Sequence, residues 1–122
     1  MPTVQIDTTK PLAVVLTFHS PHAVAYRLWY KHPDDAKYTI LATGTDSEPS
    51  NPSKHTHMVN ALPSGSELVY LAWLSGNGNT PYRIEITLVQ NGLPLPGGTF
   101  VEEGSTDAEG FAQEKNTISL AG

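Results

Sequence analysis

Histidines carry the first chemistry that this sequence offers. His55-Thr56-His57 lies in a stretch that alternates as a strand, so both rings leave the chain on the same side. Neutral imidazole is the commonest metal ligand, and two strand histidines spaced by one residue form a bidentate platform for zinc or copper. His19-Ser20-Pro21-His22 reads as a turn, and His19 or His22 could complete a site with His55 and His57. The competing reading is two solvated pairs, one on a turn and one on an exposed strand. No His-Glu-x-x-His spacing points to hydrolytic zinc chemistry.

Carboxylates offer a second possibility. From Ile84 onward Glu85, Glu102, Glu103, Asp107, Glu109 and Glu114 stand against Lys115 alone. Residues 1–83 hold six acids and six bases, so the whole net charge of −5 lies in the last third. Glu102, Glu103, Asp107 and Glu109 bracket one turn, and oxygen ligands grouped in this way suit calcium. The EF-hand order is missing, and a hairpin kept soluble by charge accounts for the same residues.

Aromatics offer a third. Trp29 alternates with Arg27 and Lys31, which marks its strand face as surface. A surface tryptophan stacks on a sugar ring or anchors a protein partner. With Asp46, Asn77 and Asn79 as hydroxyl partners, Trp29 would make a lectin-like site. Trp73 alternates with Val69 and Leu71 and reads as core. Catalysis finds no comparable pattern. There is no Gly-x-Ser-x-Gly elbow and no phosphate-cradling loop, and the neighbouring carboxylates fall on turns. The expectation is a protein that is not an enzyme.

These residues must be positioned by one domain. The chain has 122 residues, 39% hydrophobic and 16% charged, enough for a single core over residues 1–122 and too few for two. Cysteine is absent, which excludes a disulfide scaffold, a Cys-ligated metal and a Cys nucleophile. The net charge of −5 argues against nucleic acid as a partner. The longest apolar run, residues 68–74, is far short of the ~20 residues that a membrane-crossing helix needs. The first residues lack the basic and apolar parts of a secretory signal, so none is expected. Neither Asn51-Pro52 nor Asn116-Thr117-Ile118 is a glycosylation acceptor.

Ten Gly and ten Pro punctuate short stretches rich in Val, Ile, Thr, Tyr and Trp, the mark of an all-β chain. Strands are expected near residues 3–7, 12–18, 24–31, 37–43, 55–62, 67–75, 82–90, 99–103 and 111–120. Tyr38, Ile40 and Ala42 are expected to face inward. Residues 44–53 read as a long loop, 76–81 as a flexible tip and 93–98 as doubtful strand. Asn91-Gly92 signals a tight hairpin, and residues 99–103 and 111–120 are expected to close the chain as a last hairpin. Residues 12–16 and 68–74 are apolar on both faces. That fits a central strand covered on both sides, or a subunit interface.

The segment Ala25-Tyr26-Arg27-Leu28-Trp29-Tyr30-Lys31, followed by Lys37-Tyr38-Thr39-Ile40-Leu41-Ala42, resembles the third strand of a fibronectin type III or related immunoglobulin-like domain and the strand after it. Leu62-Pro63-Ser64-Gly65 is similar to the corner before that family's sixth strand, although Leu68 stands where the corner tyrosine is expected and Tyr70 follows two places on. About 40 residues then follow where the family has one strand. The resemblance implies an immunoglobulin-like fold, with binding or adhesion as the usual role.

The reading is therefore an antiparallel β-sandwich, immunoglobulin-like or fibronectin type III-like, of about eight strands. Its expected role is a non-catalytic binding module for protein–protein interaction or self-assembly through an apolar sheet surface. A lectin-like carbohydrate binder and a histidine-based zinc or copper domain are the alternatives. No cofactor is expected beyond the zinc, copper or calcium that these groups would hold.

Overall fold

A computed structural model describes residues 2–46 and 52–122. Among them nine strands form: β1 (Thr3–Gln5), β2 (Leu12–His19), β3 (Ala23–Lys31), β4 (Thr39–Asp46), β5 (Ser53–Val59), β6 (Glu67–Ser75), β7 (Pro81–Gln90), β8 (Leu93–Ser105) and β9 (Phe111–Ala121). They build a five-stranded sheet in the order β1-β9-β6-β3-β4 and a four-stranded sheet in the order β5-β2-β7-β8. The fold is an all-β sandwich. Among the described residues no helix is long and apolar enough to cross a membrane.

Alternation decides which side chains meet between the sheets. Leu12, Val14, Leu16 and Phe18 from β2 and Tyr82, Ile84, Ile86 and Leu88 from β7 face Tyr26, Leu28, Leu68, Tyr70, Ala72 and Leu74 from β3 and β6. The doubly apolar stretches are the central strands. β2 lies between β5 and β7, and β6 lies between β3 and β9. Their outward residues Val15 and Val69 are buried by neighbouring side chains of their own sheets.

The structure corrects several expectations. The sandwich is not wholly antiparallel, because β1 runs parallel to β9. Residues 99–103 and 111–120 do not pair as a hairpin. β8 is held by β7 through the tight turn at Asn91-Gly92, where both φ angles are positive, and β9 is held by β6 in the other sheet. Residues 93–98 are strand despite Pro94 and Pro96, which β8 tolerates because it is a sheet edge.

β4 carries a bulge. Leu28 pairs with Ala42 and Trp29 with Ile40, leaving Leu41 as the extra residue. Parity therefore flips, and Tyr38 and Ile40 point outward at 45% and 58% exposure. The expected loop over residues 44–53 is shorter: β4 runs through Asp46 and β5 begins at Ser53, residues 47–51 lying outside the described residues. The tip near residues 76–81 is tied down. Asn79 N donates to Asp107 O at 2.9 Å, Gly76 N to Gly110 O at 2.9 Å, and Thr106 N to Thr80 O at 3.0 Å.

Candidate functional site

The outer face of the five-stranded sheet collects the unusual side chains. Cross-strand pairing builds it row by row. Ala25, Trp73 and Gln113 align, then Arg27, Leu71 and Lys115, then Ile40, Trp29, Val69 and Thr117, then Lys31, Glu67 and Ser119. Trp29, Leu71 and Trp73 are half-buried, and Ile40 and Tyr38 are exposed. Trp73 belongs to this face and not to the core, because Ala72 and Leu74 take the inward positions of β6.

Polar contacts hold these rings in place. The Arg27 guanidinium carbon lies 5.7 Å from the Trp73 ring centroid, and Trp73 Nε1 donates to Gln113 Oε1 at 3.1 Å. Lys31 Nζ lies 6.0 Å from the Tyr38 ring, whose hydroxyl donates to Glu67 Oε2 at 2.6 Å. That hydrogen bond is the main reason the Tyr38 phenol is raised above its ordinary value, with burial second. Trp29, Tyr38, Val69, Lys115 and Thr117 line a depression of about 240 Å³.

A groove of about 680 Å³ lies at one end of the same face. Trp73 and the 59% exposed Phe111 border it, with Asp46 and Asp107 on its rim. Asp107 is engaged locally, its Oδ1 accepting from the backbone N–H groups of Glu109 and Phe111.

The structure does not assemble the lectin-like set. Asp46 pairs with Val24, five residues from Trp29 along β3, a separation of roughly 16 Å. Asn77 and Asn79 lie beyond the end of β6, in the turn packed against residues 106–110.

The four histidines also separate. His55 and His57 do share a face of β5, as expected, but it is the inner one, opposite Leu16 and Val14. Their rings lie 5.3 and 5.5 Å from the Tyr26 ring. His57 Nε2 is 2.7 Å from the Tyr26 hydroxyl, and His55 Nε2 is 3.5 Å from Asp46 Oδ2 and 3.1 Å from Ser53 Oγ. Burial, and then the nearby His55, lowers the His57 pKa. His19 lies on the opposite side of the sheet, paired with Arg83 and 3.4 Å from Glu85. His22 is buried in the β2–β3 turn, its Nδ1 bonded to Ser20 Oγ. The four-stranded sheet thus stands between His19 and the His55–His57 pair.

The acidic residues expected to bracket one turn split as well. Glu102 turns inward to accept from Tyr70 Oη and Asn116, Glu103 turns outward toward Arg83, and Asp107 caps the turn. Among the described residues no group of three or more His, Cys, Asp or Glu side chains is placed to hold a metal ion.

Sequence reasoning found Trp29, Arg27 and Lys31 but missed Tyr38, Ile40, Lys115 and the outward Trp73. The first two depend on the bulge at Leu41, which has no local signal. The alternation of Gln113, Lys115 and Thr117 in β9 was legible, but not the strand beside which it would lie.

Comparison with known proteins adds the fold and no activity. No family model matches the chain, and no curated protein matches it in sequence. In structure it is similar to a domain of unknown function, DUF4425, from Bacteroides vulgatus, with TM-score 0.57 and 9% identity over 96% of this chain and 99% of that one. At that identity the likeness concerns the sandwich alone.

Proposed function

We propose that this protein is a non-catalytic binding module that docks a protein partner on the outer face of its five-stranded sheet. One observation carries the reading. Trp29, Ile40, Leu71 and Trp73 stand together, around the buried Val69, on a face that no other layer covers among the described residues. Patches of this kind, rimmed by polar groups, characterise interaction surfaces, and tryptophan is enriched among the residues that carry binding energy.

We also read the sandwich as immunoglobulin-like. The orders β5-β2 and β3-β6-β9 match the E-B and C-F-G neighbours of that plan, and β7 takes the place beside β2 that the plan's first strand occupies. The long stretch after β6 is then a β7–β8 hairpin inserted before the last strand. A carbohydrate reading rests on Trp29 without Asp46, Asn77 or Asn79, and is the weaker of the two.

The test uses the full chain and two variants, Trp29→Glu and Leu71→Glu. Solution mass is measured at two concentrations, and binding is measured against a displayed random-peptide library. A mass above 13.2 kDa that Leu71→Glu reduces to the monomer assigns the face to self-assembly. A monomer whose library binding both variants abolish, with folding intact, assigns it to a different protein. A monomer with binding unchanged in both variants removes the proposal.

A further inference from the structure

Charge on this face runs against the charge of the chain. Three of the seven Lys and Arg residues, Arg27, Lys31 and Lys115, stand in the rows around Trp29, and of the twelve acids only Glu67 does among the described residues, Asp46 and Asp107 lying apart at the end groove. Three minus one gives a local +2, on a protein of net charge −5. The cations are interleaved with the apolar groups. Lys115 lines the depression with Trp29 and Tyr38, Arg27 lies over Trp73, and Lys31 lies over Tyr38.

We infer that the partner is an acidic protein segment that carries aromatic or aliphatic anchors, one of which fills the depression between Trp29 and Tyr38. This rests on the binding reading above and adds the chemistry of the occupant. A second copy docked face to face fits poorly, because a two-fold contact sets the same patch against itself and brings like charges together. An acidic segment removes that repulsion and places carboxylates beside Arg27, Lys31 and Lys115, while its apolar side chains cover Ile40 and Leu71. Such charges set orientation and on-rate, and the apolar anchors supply most of the affinity. Ile40 and Leu71 favour a peptide over an acidic polysaccharide, whose hydroxyls would lie unpaired against them.

The probe is the same random-peptide library, with oligouronate as a second probe. Arg27→Glu and Lys115→Glu reverse the charge, and Arg27→Lys and Lys115→Arg keep it. Selection should enrich peptides that combine Asp or Glu with aromatic or aliphatic residues. Their affinity should fall with added salt, and at least tenfold in each charge-reversal variant, while the conservative variants bind like the parent. Enrichment of neutral or basic peptides that still require Leu71 would overturn the acidic preference and leave the docking face standing. Binding of oligouronate without any peptide would overturn the choice of protein. A mass above the monomer that depends on Leu71 would overturn it in favour of a second copy. Loss of all binding and of all self-association would remove the face along with its occupant.

Discussion

The Tyr26 hydroxyl meets His57 Nε2 at 2.7 Å, joining a strand inside the five-stranded sheet to the edge strand of the other. The Tyr26 ring also lies over Gly44, its cross-strand neighbour on β4, so closely that a Cβ there would overlap it. The arrangement recurs at the opposite edge of the sandwich. Tyr82 lies over Gly104 on β8, and its hydroxyl donates to Glu114 Oε1 on β9 at 2.6 Å. In each case a tyrosine fills the space left by an edge-strand glycine and ties its tip to the facing sheet.

Tyr26→Phe should lose the hydroxyl bond and little else, lowering stability by about 0.5–1.5 kcal/mol. Gly44→Ala should cost more, about 1–3 kcal/mol, because the added methyl displaces the Tyr26 ring. Urea unfolding of both variants at constant m-value checks the order. A Gly44→Ala protein as stable as the parent would mean that the ring is not held there.

Stability should fall on the acid side of neutrality through His57. Burial lowers its pKa below the ordinary 6.5. Above that value His57 is neutral in both the folded and unfolded states, and its contribution is fully present. As the pH drops below it, the unfolded chain takes up a proton that the folded protein resists, and stability is lost until the lowered folded pKa is passed. The parent should therefore lose more stability between pH 7.5 and about 5 than His57→Gln does. Equal slopes would place the histidine in water.

The alkaline limb belongs to tyrosines. Burial first, and then the hydrogen bond to Glu114, pushes the Tyr82 phenol up to about 12, and burial with the Glu102 bond raises Tyr70 as well. Raised folded values mean stability that is intact below the ordinary 10.0 and lost as the pH climbs from there toward about 12. Tyrosinate absorbance should show a late-titrating class. Glu114→Gln should move one member of it toward the ordinary value, and an unchanged titration in that variant would refute the assignment.

The turn between β8 and β9 depends on Gly110. Its φ is +89°, and a Cβ would collide with the Gly76 carbonyl that lies against it. Gly76 N donates to Gly110 O at 2.9 Å, so the collision would fall on the contact that ties down residues 76–81. Gly110→Ala should destabilise by more than the ~1–2 kcal/mol of a left-handed residue alone. It should also raise hydrogen exchange at Gly76 and Asn79. A loss confined to stability, with that exchange unchanged, would separate the turn from the tip.

The strands of this protein were legible because burial in a sheet has a local period of two. Tyr82, Ile84, Ile86 and Leu88 announce the inner face of β7, and Asn91-Gly92 announces its turn. The sequence by itself also determined the alternation that puts Trp29 beside Arg27 and Lys31, and His55 on the same side as His57. Which strand pairs with which is another matter. Pairing is a competition among distant segments for the same hydrogen-bonding edges, and only the tertiary structure decided it. That competition sent β8 and β9 to different sheets, turned the His55–His57 pair inward and away from His19 and His22, and set Lys115 beside Leu71. A single extra residue, Leu41, then turned Tyr38 and Ile40 outward. The basic, aromatic face exists only after those choices, because its residues come from β3, β4, β6 and β9, and only the first two are neighbours in the chain.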